Sequence, residues 1–286
     1  MSHTATLLAL AAGLSVAVAN LAAPAVAQGS AGEETALAAP TFADVAALTE
    51  KASLVALVEV RDQAVVKPER APGLAPGYAR LYIEGRTQAL LGGRAALGES
   101  LVYLVDAPLD EDGDPPKLKK QRFIVFANPV AGRPGTLQLV EPDSAIRATP
   151  ESEQLARAVI AAFAAPDIPP AVTGVRDVMS VAGNLVGESE TQLFLDTATG
   201  EPVSLSVIRR PGMDPAWGVS WTEIVDQSAR PPAPRTVEWY RLACSLPPDL
   251  PADSFLQEDR ASQARAREDY RFILDQLGEC ARTLAP

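Results

Sequence analysis

Between Ser53 and Arg61 the positions Leu54, Val55, Leu57, Val58 and Val60 are apolar, which predicts a strongly buried strand. Just ahead of it, Thr41 and Asp44 stand three residues apart in a capping arrangement, and Val45, Leu48 and Ala52 fall on one face of a short helix. The Pro- and Gly-bearing stretch Lys67 to Gly77 reads as a loop. Further strands are predicted over Tyr78 to Leu91, Glu99 to Ala107, Arg122 to Ala127 and Thr136 to Val140. Five strands in succession favour a curled sheet or a small barrel.

Thr149-Pro150-Glu151 has the capping hydroxyl, the first-turn proline and the acid of a helix start, and Leu155, Val159 and Phe163 give that helix its apolar side. Ala165 to Pro170 then breaks the pattern, and a domain boundary is expected there. Beyond it, Val172 to Val181, Glu190 to Thr197, Pro202 to Arg210 and Trp217 to Val225 read as strands, the middle pair joined across Ala198 to Glu201. Val203, Leu205 and Val207 alternate with Ser204, Ser206 and Ile208, as in a sheet with one face covered. Thr236 to Ala243 and Arg260 to Gly278 are the helices expected to cover it. The fold class is α+β: an antiparallel β-barrel-like domain with flanking helices over residues 41–165, then an antiparallel sheet with C-terminal helices over 166–286.

The N-terminal segment changes the picture. Leu7 to Val26 is uncharged and apolar and ends Ala25-Val26-Ala27, the small-x-small pattern of a secretory cleavage site, so residues 1–27 read as a signal peptide and 28–40 as a flexible tether. Export to the periplasm follows, with no stable membrane insertion after cleavage. Removing the leader removes His3, the sole histidine, and with it any histidine-based triad. The only cysteines, Cys244 and Cys280, would then meet an oxidising compartment and form a disulfide. Cys280 continues the stripe Tyr270, Ile273 or Leu274 and Leu277, which should face the core. With 25 Lys plus Arg against 36 Asp plus Glu, the net charge of −11 opposes binding to nucleic acid or an anionic membrane.

Candidate chemistry is sparse. Asp110-Glu111-Asp112-Gly113-Asp114 lacks the Glu that a calcium-binding EF-hand loop needs at its twelfth position, where Gln121 stands. The basic run Lys117, Lys119, Lys120 and Arg122 follows at once, and a solvated hairpin with self-neutralising arms, guarding an edge strand, accounts for both. Arg209 and Arg210 close a strand, and Trp217 and Trp221 share one face of the next with Val219 and Glu223. Arginines beside an aromatic platform suit a sugar, a peptide carboxylate or an aromatic cofactor, which makes Arg209, Arg210, Trp217 and Trp221 the candidate binding patch. Glu188, Glu190, Asp196 and Glu223 are the carboxylates from which a hydrolytic pair could be drawn. No Gly-x-Ser-x-Gly, Ser-x-x-Lys, phosphate-loop or dinucleotide fingerprint occurs. No metal ligand set or cofactor is implied, since the mature chain offers zinc neither histidine nor spare thiol.

Asp114-Pro-Pro-Lys-Leu-Lys-Lys-Gln-Arg-Phe and Gly183-Asn-Leu-Val-Gly-Glu-Ser-Glu-Thr-Gln-Leu-Phe-Leu resemble stretches of uncharacterised exported proteins of alphaproteobacterial type, which implies envelope residence. The first domain, with its helix, Leu54-Val-Ala-Leu-Val-Glu-Val and a strand ending Leu90-Leu91-Gly92-Gly93, is similar to netrin-like and other oligonucleotide-binding-type barrels. Those inhibitors use an N-terminal cysteine that is absent here. The resulting expectation is a non-enzymatic module that binds an envelope protein or a small ligand, with a carboxylate-based hydrolase as the alternative.

Overall fold

The computed structural model describes residues 39–93, 95–222 and 229–284, so the leader, most of the tether and Glu223 lie outside the described residues. Helix α1 (Phe42–Lys51) starts as a capping box: the Thr41 hydroxyl accepts from the Asp44 N–H at 3.1 Å and the Thr41 N–H donates to the Asp44 carboxylate at 2.9 Å. Strands β1 (Leu54–Val65), β2 (Tyr78–Gly93), β3 (Ser100–Pro108), β4 (Arg122–Pro129), β5 (Leu137–Leu139) and β6 (Ala145–Arg147) form an antiparallel sheet ordered β3-β2-β1-β4-β5, with β6 also on β4. It curls until Val102 and Thr136 form a single bridge, but it is not a closed barrel.

The apolar run in β1 arises because this strand is covered on both faces. Leu54, Ala56, Val58 and Val60 point into the curl with Leu81, Ile83, Leu101 and Tyr103. Val55 and Leu57 point the other way, with Ile124 and Phe126 of β4, into the core that contains α1 and α2 (Pro150–Phe163). Gly85 of β2 lets β1 lie close, since a Cβ there would stand 2.4 Å from a Val58 methyl.

The second sheet, ordered β10-β9-β8-β7, comprises β7 (Val172–Ala182), β8 (Ser189–Thr197), β9 (Val203–Arg209) and β10 (Ala216–Ser220). Helices α3 (Val237–Ala243) and α4 (Arg260–Leu277) pack with it. Ala38–Pro286 is one compact unit, and one core links Leu48, Phe126 and Val159 with Leu193, Leu205 and Tyr270. Arg241 of α3 ties the helices together: it pairs with Glu50 of α1, donates to the Pro169 carbonyl at 3.2 Å and lies 5.4 Å from the centre of the Phe163 ring.

Cys244 and Cys280 are disulfide-bonded across a sequence separation of 36. The geometry differs from expectation in one respect: α4 ends at Leu277, and Cys280 lies beyond it, after Gly278 has turned the chain at φ 70°. The tail that follows docks on α1, where the buried Asp44 carboxylate accepts from Arg282 Nε (3.4 Å), the Thr283 N–H and hydroxyl (3.1 and 2.8 Å) and the Leu284 N–H (3.2 Å). Burial alone would raise the Asp44 pKa, but the bonds from Thr41 and Thr283 outweigh it and hold the carboxyl below its ordinary value.

The charged loop also differs. Asp110 spends its side chain on the Asp112 and Asp114 N–H groups, Lys119 pairs with Asp62 of β1, and Arg122 pairs with Glu153 of α2. The basic arm is therefore not neutralised by the acidic one at these positions. The lysines do lie along an edge, because β1 pairs with β4 only as far as Glu59, and its outer part, where Lys119 meets Asp62, has β2 as its strand partner.

Candidate functional site

Strand register decides where the candidate residues meet. Pairing Val207 with Trp217 and Leu205 with Val219 puts both indole-bearing and aliphatic residues of β10 on the core face. Trp217 is 5% exposed, and Trp221 packs partly buried against the same core. Neither forms an open platform beside the arginines. Glu223, which was expected to extend that face, lies outside the described residues.

The core face turns polar at one end. Successive rows run Val175, Leu195 and Val203, then Val178, Leu193 and Leu205, then Ser180, Thr191 and Val207, and last Ala182, Ser189 and Arg209. Asp269 of α4, fully buried, reaches over the polar rows: its carboxylate accepts from the Thr191 hydroxyl at 2.5 Å and from Arg209 Nε at 2.6 Å. Because a carboxylate only accepts, Thr191 spends its single proton on Asp269 and must receive the Ser180 hydroxyl at 2.8 Å. Arg209 also pairs with Glu268 at 3.2 Å. This network positions Arg209. Sequence reasoning missed this network, although two signals could have found it: Ser189 and Thr191 continue the face of Leu193 and Leu195, and Asp269 adjoins Tyr270 on the helix stripe.

The cleft opens at this same end of the sheet and is lined from both faces, by Ala182, Ser189 and Arg209 of the last core-face row and by residues of the opposite face. Val181, Glu190 and Ile208 are cross-strand neighbours there, and together with Gly183, Asn184, Glu188, Arg209 and Arg210 they line a depression of about 290 Å³. Arg210 is exposed and has no ion pair among the described residues. Glu190 accepts from the Gln192 amide at 2.8 Å through Oε1, and Glu188 accepts from the Leu185 N–H at 3.2 Å. Leu185, Val186 and Met213 stand 62%, 99% and 64% exposed on the two hairpin tips at this end of the sheet.

The structure thus brings Arg209 and Arg210 together with Glu188 and Glu190 in a cleft whose lining includes neither tryptophan. Asp196 sits six residues along β8 from Glu190, roughly 20 Å away at strand rise. A second depression of about 390 Å³ opens where the curled sheet nearly closes, lined by Leu97, Pro129, Val130, Arg133 and Thr136 among others. Among the described residues no group of three or more His, Cys, Asp or Glu side chains could hold a metal ion. None of the described helices is long and apolar enough to cross a membrane. No protein-family model matches the chain, and no curated protein matches it.

Proposed function

We propose that the protein is an exported, periplasmic, non-enzymatic binding module that takes a small ligand, or a short segment of an envelope partner, in the cleft between Arg210 and the Gly183 to Glu190 hairpin. The observation that carries this reading is the contrast between neighbouring arginines. Arg209 is committed to Asp269 and Glu268, whereas Arg210 presents a guanidinium with no ion pair among the described residues at the rim of a cleft. An unpaired guanidinium beside apolar side chains is a ready partner for a carboxylate or phosphate. Export is supported by the Cys244–Cys280 disulfide together with the apolar leader.

Hydrolysis by Glu188 and Glu190 has weaker support. Both carboxylates come from one wall, β8 and the turn before it, and a hydrolytic pair must face each other across the bond to be cleaved.

A photo-cross-linking residue placed at Met213 in intact cells tests the reading, with the same residue at the opposite end of the sheet, Thr199, as the control. An envelope protein or small molecule captured from Met213 only, and lost in Arg210→Gln, is the expected result. Equal capture from both positions would remove the cleft assignment, and recovery of the protein from the cytoplasm with an intact leader would remove export.

A further inference from the structure

Arg210 and Glu188 both line the cleft, yet no ion pair joins them among the described residues, and a glycine accommodates the Glu188 side chain. Ser189 pairs with Arg209 across β8 and β9, and Glu188 and Arg210 are the residues next outward from that pair. An acid and an arginine so placed ordinarily form a cross-strand pair. Here the Glu188 side chain folds instead over Gly183 and accepts from the Leu185 N–H. It lies so close that a Cβ on residue 183 would stand 2.3 Å from Glu188 Cγ and 2.4 Å from Oε2. Only glycine leaves that space. Gly183 is not in the left-handed region, so its backbone does not itself require glycine. The requirement comes from the Glu188 carboxylate.

Across the cleft floor, Glu190 has Oε1 engaged by Gln192, and Oε2 has no hydrogen bond among the described residues. It sits in one cross-strand row with the apolar side chains Val181 and Ile208. We propose that the ligand of this cleft is a small zwitterion of the amino-acid or dipeptide class. Its carboxylate forms a bidentate pair with Arg210, its ammonium group meets Glu190, and its aliphatic portion lies on Val181 and Ile208. The inference rests on the cleft reading above and adds the ligand class. A volume of about 290 Å³ is at the small end for ligand sites, which excludes large cofactors. Charges of both signs in one cleft disfavour a simple anion, since Glu188 and Glu190 would repel it.

The test is titration of the protein with L-alanyl-L-alanine, followed by backbone amide NMR, with the N-acetylated and C-amidated forms as comparisons. Expected is saturable movement of Asn184, Glu190 and Arg210 resonances with dialanine, and at least about tenfold weaker binding when either terminus is blocked or in Arg210→Gln. Gly183→Ala should weaken binding equally by pushing Glu188 onto Arg210. Gly183→Ala combined with Glu188→Gln should restore it, because the neutral amide does not compete as an ion. That rescue separates a blocked site from a misfolded hairpin. Saturable binding at Arg210 that is indifferent to N-acetylation would overturn the zwitterion inference and leave the cleft reading standing. Movement confined to Leu97, Val130 and Arg133 would overturn the cleft reading, and no movement at all would overturn the inference.

Discussion

Replacing Asp44 with alanine removes the junction between α1 and the C-terminal tail. Its carboxylate is fully buried and accepts from the Thr41 N–H and hydroxyl, Arg282 Nε, the Thr283 N–H and hydroxyl, and the Leu284 N–H. A hydrogen bond to a charged group is worth ~1.5–3 kcal/mol, but bonds to one acceptor do not add. Breaking a buried ion pair from one side costs about 3–5 kcal/mol. Asp44→Ala is therefore expected to lose about 3–5 kcal/mol at pH 7, measured by urea unfolding of the oxidised protein. The pH dependence follows from the folded carboxyl having a pKa below its unfolded value of 3.8. The Asp44 contribution is fully present above that value and is lost as pH falls through the lower folded pKa. The gap between wild type and variant should thus be constant near neutrality and close in strong acid. A loss under about 1 kcal/mol at pH 7, or a gap that stays constant into strong acid, would refute the reasoning.

Other outcomes follow from the same packing. Reducing Cys244–Cys280 should cost about 4 kcal/mol by chain entropy for a loop of this length, read as a fall in the urea midpoint under reductant. Asp143→Asn should stabilise the protein at pH 7 and change nothing in strong acid. Burial, reinforced by Glu141, raises the Asp143 pKa, so its ionisation opposes folding as pH rises through the folded value. Gly85→Ala should cost ~1–3 kcal/mol by forcing a methyl against Val58, with the loss relieved by a compensating Val58→Ala. Tyr240, whose pKa is pushed up to about 12 by burial and the neighbouring Glu50, should stay un-ionised in ultraviolet titration to pH 11, and Glu50→Gln should bring its titration to lower pH.

The strands and helices were legible because their signals are local. Thr41 with Asp44, and Thr149 with Pro150, announce helix starts by chemistry confined to a few residues, and both caps form. Strand β6, Ala145–Arg147, is too short to display a period. The second partner of Asp44 was invisible for a different reason: Thr283 lies 239 residues away and is brought there by the path of α4 and the chain after it. At the cleft, the two arginines and the glutamates were each noticeable as residues. Only the pairing of β8 with β9 shows that they adjoin. Alternation put Trp217, Val219 and Trp221 on a common face, but it does not say which face a helix will cover. The face proved to be the core side, so Arg209 shares it with Trp217, while Arg210 falls with Ile208 on the other.

The two-sided burial of β1 removes a safeguard that most strands have. When one face is wet, a slip of one residue drives apolar side chains into water, and the error corrects itself. In β1 a slip would exchange Leu54, Ala56 and Val58 for Val55 and Leu57, one aliphatic set for another, with little change in hydrophobic burial. Alignment must be encoded by shape instead. Val58 has room over Gly85, whereas Gly93 must fit against the Ser53 carbonyl, where a Cβ would stand 2.4 Å away. Irregular steps after Val55, Leu57 and Val60 fix the count of residues between these fits. The glycines of β2 thus act as keyways, and filling one both costs stability in the native frame and narrows its lead over a slipped frame with a similar core.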